Sequence, residues 1–344
     1  MIGAPKVRAG LAGATGYAGR ELIRLLARHN GISLVSLAHG PGSPDACVSS
    51  LFPELAGICD LTVQDCESLI NDDSLDVVFL ALPHSAAMPV ARQLLERNVR
   101  VIDFSADYRL KNATVYEQWY GVHHADAENL AKAVYGLCEW YREQIASATL
   151  VANPGCYPTG ALLPLLPLLK DRLIDDSRII IDAKSGVSGA GKKVSPALQF
   201  CEVNESFKAY GLFSHRHSPE INQELSFAAG LDVSAQFTPH LLPVQRGILS
   251  TIYCELRPGL AHQDVARALH AAYDGDFFVR VKPPGTILEL KHVVFTNFCD
   301  ISFFVQDSHL ILVSVIDNMV KGAAGQALQC CNCMFGFPES EGLL

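Results

Sequence analysis

Of the eleven cysteines, one stands apart. Cys156 lies in Asn153-Pro154-Gly155-Cys156-Tyr157-Pro158-Thr159-Gly160, just after an apolar run and at the start of a helical one. The prolines and glycines there make a rigid turn that presents a side chain, and a helix N-terminus stabilises a thiolate. Cys156 therefore reads as a nucleophile rather than one more packed thiol. Such a nucleophile needs a proton partner, most often a histidine reached through the fold. Most of the 12 histidines are solitary, and solvated or packed roles are their default. His215-Arg216-His217-Ser218-Pro219-Glu220-Ile221 differs, because two imidazoles flank an arginine before a helix that Ser218 would cap. A metal reading of that pair lacks further ligands at usable spacing, so no metal is expected.

Three further stretches could hold anions. Gly10, Gly13, Gly16 and Gly19 recur where a strand meets a helix, in Gly13-Ala14-Thr15-Gly16-Tyr17-Ala18-Gly19. Glycine lets a backbone turn tightly and approach a pyrophosphate, whose charge then faces the positive helix end. The spacing is GxxGxxG rather than GxGxxG, so the weight falls on its place between strand and helix. An NAD site carries Asp or Glu at the end of the second strand. Here no acid occurs from residue 22 to 44, and Leu37-Ala38-His39-Gly40-Pro41-Gly42-Ser43 is small and neutral, which favours NADP. No arginine sits there, leaving His39 and Ser43 to meet a 2′-phosphate. Ser185-Gly186-Val187-Ser188-Gly189-Ala190-Gly191-Lys192-Lys193 follows a strand and is a candidate amide-lined nest for phosphate, without Walker A spacing. In Asp103-Phe104-Ser105-Ala106-Asp107-Tyr108-Arg109-Leu110, Arg109 can grip a carboxylate or phosphate in bidentate fashion, or simply pair with Asp107.

The elements that must position these groups change character along the chain. Residues 6–11, 32–38, 76–81 and 99–104 read as strands, with helices over 17–28 and from a Ser85 cap to 97. This β-α-β order predicts a Rossmann-type doubly wound parallel sheet with right-handed crossovers. Residues 149–152 and 179–183 are apolar strands flanking a helix over 158–172. Residues 248–256, 295–305 and 310–316 are long β-branched and aromatic runs, interrupted only by a helix over 263–273. They predict an α+β domain from residue 153 with a large mixed sheet, one face packed on helices or on another subunit. A homodimer or homotetramer is expected.

Composition narrows the function classes. With 27 Lys+Arg against 36 Asp+Glu the formal charge is −9, and no basic cluster offers the phosphate-neutralising patch of a nucleic-acid binder. Hydrophobic residues make up 49% and charged residues 18%, a balance that excludes intrinsic disorder. The longest apolar stretch, 161–169, is short and holds Pro164 and Pro167, so no membrane span is expected. Met1–Pro5 carry no basic segment followed by an apolar one, so no secretory leader is expected. An odd number of cysteines in a long chain fits a reducing compartment, and we expect a cytoplasmic protein. Cys330, Cys331 and Cys333 read as a small hydrophobic face on the last helix.

Taken in order, the glycine loop, residues 103–110, the cysteine turn, residues 184–192 and residues 215–221 resemble the N-acetyl-γ-glutamyl-phosphate reductases, relatives of aspartate-semialdehyde dehydrogenase. The resemblance implies NADPH-dependent reduction of a small-molecule acyl phosphate, N-acetyl-γ-glutamyl phosphate, to N-acetylglutamate 5-semialdehyde, with phosphate release, in arginine biosynthesis. It implies Cys156 as nucleophile forming a thioester and His217 as acid/base, with His215 second. The cofactor would meet Gly13, Thr15, Gly16, Tyr17, Ala18, Ser43, Pro83, Ser185, Gly186 and Asn318. The substrate would meet Ser105, Arg109, Asn153, Ser188, Gly189 and His215. It also implies that residues 318–344 rejoin a nucleotide domain of residues 1–152, leaving 153–317 as the catalytic and oligomerisation domain. A carrier-linked acyl phosphate is the alternative substrate, and a non-catalytic NADP sensor the alternative class. Against aspartate-semialdehyde dehydrogenase itself, Leu242-Pro243-Val244-Gln245-Arg246-Gly247 is followed by Ile248 and not by His.

Overall fold

The computed structural model describes residues 6–40 and 43–344. The Met1–Pro5 stretch read for a leader, and Pro41 and Gly42 of the stretch after the second strand, lie outside the described residues. The chain forms two compact units, one running through Pro154 and completed by Ala323–Leu344, the other Gly155–Gly322.

The first unit is built on β1 (Val7–Ala12), β2 (Ile32–Ala38), β3 (Ala46–Cys47), β4 (Thr62–Gln64), β5 (Val77–Leu80), β6 (Arg100–Asp103), β7 (Val134–Tyr135) and β8 (Leu150–Ala152). Among the described residues they form one eight-stranded sheet in the order β3-β4-β2-β1-β5-β6-β8-β7. Every pairing is parallel except that of β3 with β4. The all-apolar β5 is buried along its length, as a strand covered on both faces must be. The order reverses between β1 and β5, and ligands of such sheets bind at the carboxyl ends of the strands flanking that point.

Two helices of this unit depart from expectation. Ser85 does not cap the helix after β5: that helix is Ala87–Glu96, its N-cap is Ala86, and Pro89 falls in its first turn. Ser85 instead adopts φ 68°. The closing helix is Gly325–Phe335, preceded by a π-helical turn at Val320–Ala324, so Asn318 lies before it. This helix packs on the Cys138–Ser147 helix. In the seam the Cys138 and Cys330 sulfurs lie 3.4 Å apart, and the Cys330 thiol donates to the Gly136 carbonyl at 3.1 Å. Burial pushes the Cys138 and Cys331 thiols up, so they pack as small hydrophobes.

The second unit carries β9 (Ile180–Gly186), β10 (Lys208–Ala209), β11 (Gln236–Leu242), β12 (Ile248–Glu255), β13 (Val279–Val281), β14 (Cys299–Gln306) and β15 (His309–Ile316). Among the described residues these make a seven-stranded mixed sheet, β10-β11-β9-β12-β15-β14-β13. Residues 295–298, read as strand, are not: Phe295 sits at φ 67°, its amide donating to Asp317 Oδ2 at 2.7 Å. In β12, Ile248, Ser250, Ile252 and Cys254 are buried on one face, while Leu249, Thr251 and Tyr253 on the other are partly or largely exposed. The Cys156–Lys170 helix packs against β12 and β15.

That helix contains Pro164 and Pro167, which cannot donate to the carbonyls four residues back. Both carbonyls find other donors. Ser314 Oγ donates to the Gly160 carbonyl at 2.6 Å, and the Tyr273 hydroxyl donates to the Leu163 carbonyl at 2.5 Å. Ser314→Ala would leave a buried carbonyl without that donor and is expected to cost about 1–3 kcal/mol. Urea unfolding would measure it, and an unchanged midpoint would show that the carbonyl needs no such partner.

Candidate active site

In the second unit the nucleophile turn is shaped by two glycines. Cys156 is the first residue of its helix, two residues earlier than the sequence placed the start, and Gly155 is its extended N-cap. A Cβ on Gly322 would lie 2.8 Å from Cys156 Cβ, so only glycine lets that segment pass the cysteine. A Cβ on Gly155 would lie 2.5 Å from His217 Nε2, so the imidazole occupies the space that a side chain before the nucleophile would need. The Gly155 amide donates to Glu220 Oε1 at 2.8 Å, and Glu220 is 1% exposed. Sequence reasoning did not single out Glu220 for this turn. The available signal was its spacing: an acid three residues after His217 falls on the same helix face.

His217 itself is the N-cap of the Ser218–Ala229 helix, the place expected for Ser218. His215 has a different task. Its Nδ1 accepts the His217 backbone amide at 3.1 Å, and its ring lies among Tyr157, Tyr210 and Phe237 at centroid distances of 5.5, 5.5 and 5.3 Å. Burial, with Arg216 adding to it, lowers the His215 pKa from 6.5 to about 4, so it is a neutral acceptor. The Tyr157 hydroxyl meets that of Tyr210 at 3.0 Å and donates to the His240 carbonyl at 3.1 Å. Burial keeps both phenols protonated, Tyr210 being pushed up to about 12.

The depressed His215 value makes a stability prediction. Its neutral form is favoured in the folded chain, so the contribution is complete above pH 6.5 and is lost as pH falls from there to about 4. The loss is on the order of 3 kcal/mol. His215→Phe, which suits the aromatic surroundings, is expected to flatten this part of the pH–stability curve. Denaturant unfolding from pH 7.5 to 4 would measure it, and equal slopes for both proteins would remove His215 as the source.

A second group in the same unit differs from the expected phosphate nest. The amides of Gly186, Val187 and Ser188 donate to the carbonyls of Gly247, Val244 and Gln245, and that of Gly191 to Ser188. Three of those amides are therefore spent on holding the loop to residues 244–247, and the fourth closes a turn within it. Asn318 braces the same join: its Oδ1 accepts the Gly247 amide at 2.7 Å and its Nδ2 donates to Ser188 Oγ at 3.0 Å. Ser185 Oγ donates to the Gly186 carbonyl at 3.0 Å, while an added Cβ on Gly189 would meet nothing closer than 3.4 Å. Arg246, which the sequence reading passed over, lies 3.5 Å from the buried Asp317 carboxylate and 4.7 Å over the Phe295 ring.

The remaining candidates belong to the first unit. Gly13 has φ 84°, and a Cβ on it would lie 2.2 Å from the Ala81 carbonyl oxygen. A Cβ on Gly19 would lie 2.4 Å from the Gly13 carbonyl, so glycine there allows close helix-to-turn packing. At Gly16, the N-cap of the Tyr17–Leu26 helix, the nearest atom would be 3.4 Å away. Thr15, Gly16, Tyr17 and Ala18 are half-buried, and Ser43 and Pro83 exposed. A turn that is tight at Gly13, packed at Gly19 and open at Gly16 fits a pyrophosphate at a helix N-terminus. After β2, His39 Nε2 lies 3.0 Å from Asp45 Oδ1, and that hydrogen bond raises the His39 pKa.

Arg109 is 6% exposed, with Nε donating to the Asn153 carbonyl at 2.8 Å and Nη2 to the Phe104 carbonyl at 2.6 Å. It ties the end of β6 to the stretch after β8. Asn153 Nδ2 donates to the Ala323 carbonyl at 3.1 Å, while its buried Oδ1 has no hydrogen-bond partner among the described residues. Ser105 is buried, its hydroxyl donating to Asp103 Oδ2 at 2.6 Å and accepting the Asp107 amide at 3.0 Å. Burial, and then the nearby Asp107, raise the Asp103 pKa to about 7. Among the described residues, no three His, Cys, Asp or Glu side chains group as metal ligands, and no helix is long and apolar enough to cross a membrane.

Comparison with known proteins gives the class first. Residues 8–148 match the semialdehyde dehydrogenase NAD-binding domain, and residues 156–318 the semialdehyde dehydrogenase dimerisation domain. The fold is also that of solved aspartate-semialdehyde dehydrogenases. The Vibrio cholerae enzyme II covers 97% of this chain and 99% of its own at TM-score 0.72 and 16% identity. The Candida albicans enzyme, solved with NADP, covers 96% and 98% at TM-score 0.69 and 17% identity. The class is therefore an oxidoreductase with an NAD(P)-binding domain of Rossmann type. N-acetyl-gamma-glutamyl-phosphate reductases of Pelotomaculum thermopropionicum and Moorella thermoacetica are 49% and 48% identical, over 98% of this chain and 97% and 98% of theirs. That of Campylobacter jejuni is 45% identical over 98% of each chain. The chain belongs to the N-acetyl-gamma-glutamyl-phosphate reductase family.

Proposed function

We propose that the chain reduces N-acetyl-γ-glutamyl phosphate, with NADPH as reductant, to N-acetylglutamate 5-semialdehyde and inorganic phosphate, in the cytoplasm and within arginine biosynthesis. The observation that carries this reading is the turn at Cys156, with the His217 imidazole against Gly155 and Glu220 on the Gly155 amide. In this reading His217 takes the Cys156 proton, and the thiolate, favoured by the helix N-terminus, attacks the acyl carbon. The bond from that carbon to the phosphate oxygen breaks, and His217 gives its proton to the departing phosphate. A thioester on Cys156 remains. When bound, the reduced nicotinamide supplies a hydride to its carbonyl. The Cys156 amide, at the first helical position, holds the developing oxyanion. Breakage of the carbon–sulfur bond then releases the aldehyde and restores the thiolate.

Gly13, Gly16 and the start of the Tyr17–Leu26 helix would hold the pyrophosphate, with Ser43 and Pro83 beside the dinucleotide. For the 2′-phosphate, the support is the lack of any acid from residue 22 to 44, through the end of β2. Asn153 and Arg109 are assigned to the substrate, with Ser188 and Gly189 on the second unit's loop. The dimerisation-domain match and the partly exposed sheet face with Ile180 and Tyr253 support assembly with further copies of this chain.

The reaction is tested in reverse. N-acetylglutamate semialdehyde and phosphate should drive reduction of NADP more strongly than of NAD, followed by nicotinamide absorbance. Aspartate semialdehyde should be a poor replacement. Absence of a phosphate-dependent signal with either nucleotide would overturn the reading.

A further inference from the structure

We propose that Asp107 is a positioning residue for the dinucleotide, acting through the backbone of Ser85; the proposal rests on the dinucleotide reading above. The loop that follows β5 borders the glycine turn, since the Ala81 carbonyl occupies the space that a Gly13 side chain would need. It also lies at the carboxyl end of a strand flanking the point where the sheet order reverses, where ligands of such sheets bind. Within it Ser85 holds φ 68°, a left-handed conformation that residues with a Cβ rarely take. Such a conformation persists only where its surroundings over-determine it.

Asp107 supplies the restraint. The Ser85 amide donates to both of its carboxylate oxygens, at 2.9 Å each. The carboxylate is wholly buried and held in turn, with the Tyr116 hydroxyl donating to Oδ1 at 2.7 Å and the Asp107 amide donating to Ser105 Oγ at 3.0 Å. A parallel tie lies one residue away, where the Ala106 amide donates to His84 Nδ1 at 3.1 Å. Two consecutive residues after β6 thus clamp two consecutive residues of the loop after β5. Asp107 sets where that loop stands against the glycine turn, and so the room left for the dinucleotide, without touching it.

The test compares Asp107→Asn, Ser85→Gly and the double variant. Asn offers the Ser85 amide a single acceptor oxygen, so the left-handed residue relaxes and the loop shifts. Asp107→Asn is expected to raise the Kd and KM for the nucleotide about tenfold, while kcat at saturating nucleotide stays near that of the wild type. Glycine adopts φ near 68° without help, so Ser85→Gly in the Asp107→Asn background should recover most of the lost affinity. A carboxylate serving only general stability would not be rescued this way. If Asp107→Asn does not fold, Tyr116→Phe, which loosens the same carboxylate, should weaken nucleotide binding in the same direction. A double variant no better than Asp107→Asn, or a fall in kcat with unchanged Kd, would overturn the proposal. Wild-type protein that binds neither NADPH nor NADH would overturn the dinucleotide reading and this proposal with it. Binding by wild type and by Asp107→Asn alike would overturn this proposal alone.

Discussion

Cys156→Ser is expected to lower kcat for the phosphate-dependent reaction by on the order of 10³-fold or more, while leaving nucleotide binding unchanged. A serine hydroxyl at the same helix end is a far weaker nucleophile than a thiolate, since neither the helix end nor His217 would ionise it beforehand. The substitution is nearly isosteric, and the Gly322 segment that passes at Cys156 Cβ needs no movement, so the loss should be chemical rather than structural. Two measurements separate these cases. Thermal unfolding should match the wild type, and quenched reactions with acyl phosphate should yield no covalent acyl-enzyme. Turnover comparable to wild type would remove Cys156 as the nucleophile.

The second large effect concerns the histidines. His217→Asn should lower kcat by about 10²–10⁴-fold, the usual worth of a positioned proton carrier, and should remove an acidic limb from the pH–rate profile. His215→Asn should be milder. With its pKa lowered to about 4, His215 is a neutral acceptor for the His217 amide and has no proton to exchange near pH 7. Asparagine can still accept from that amide, so kcat should fall less and the shape of the pH profile should persist. The reverse ranking, His215→Asn severe and His217→Asn mild, would exchange their roles.

How much of this was legible in the sequence depended on what each residue type announces. The parallel order of β1, β2, β5 and β6 was readable because continuous apolar runs alternating with helical periods have few other solutions. The turn around Cys156 was readable from its prolines and glycines. Its first helical residue was less so: Pro158 suggests the first position, but here it is the third. Glu220 was not singled out because a buried carboxylate looks like any helical Glu until the amide of Gly155 is found on it. In Ser185–Gly191 the glycine-rich composition indicates amides that can be reached, and not that residues 244–247 take three of them. Ser85 was read as a helix cap from residue type, whereas its φ is set by Asp107, 22 residues away.

The two prolines of the Cys156 helix bear on how the chain acquires its reactivity. The donors that replace their missing amide hydrogens come from Ser314, 154 residues downstream of Gly160, and Tyr273, 110 residues downstream of Leu163. A chain cut before residue 314 would therefore lack the donor that the Gly160 carbonyl meets. Closing loops of that length carries an entropic cost that only a packed unit repays. The helix that presents the nucleophile is thus finished by the last strand of its own unit, and a change in β15 far along the chain can reach the helix of Cys156.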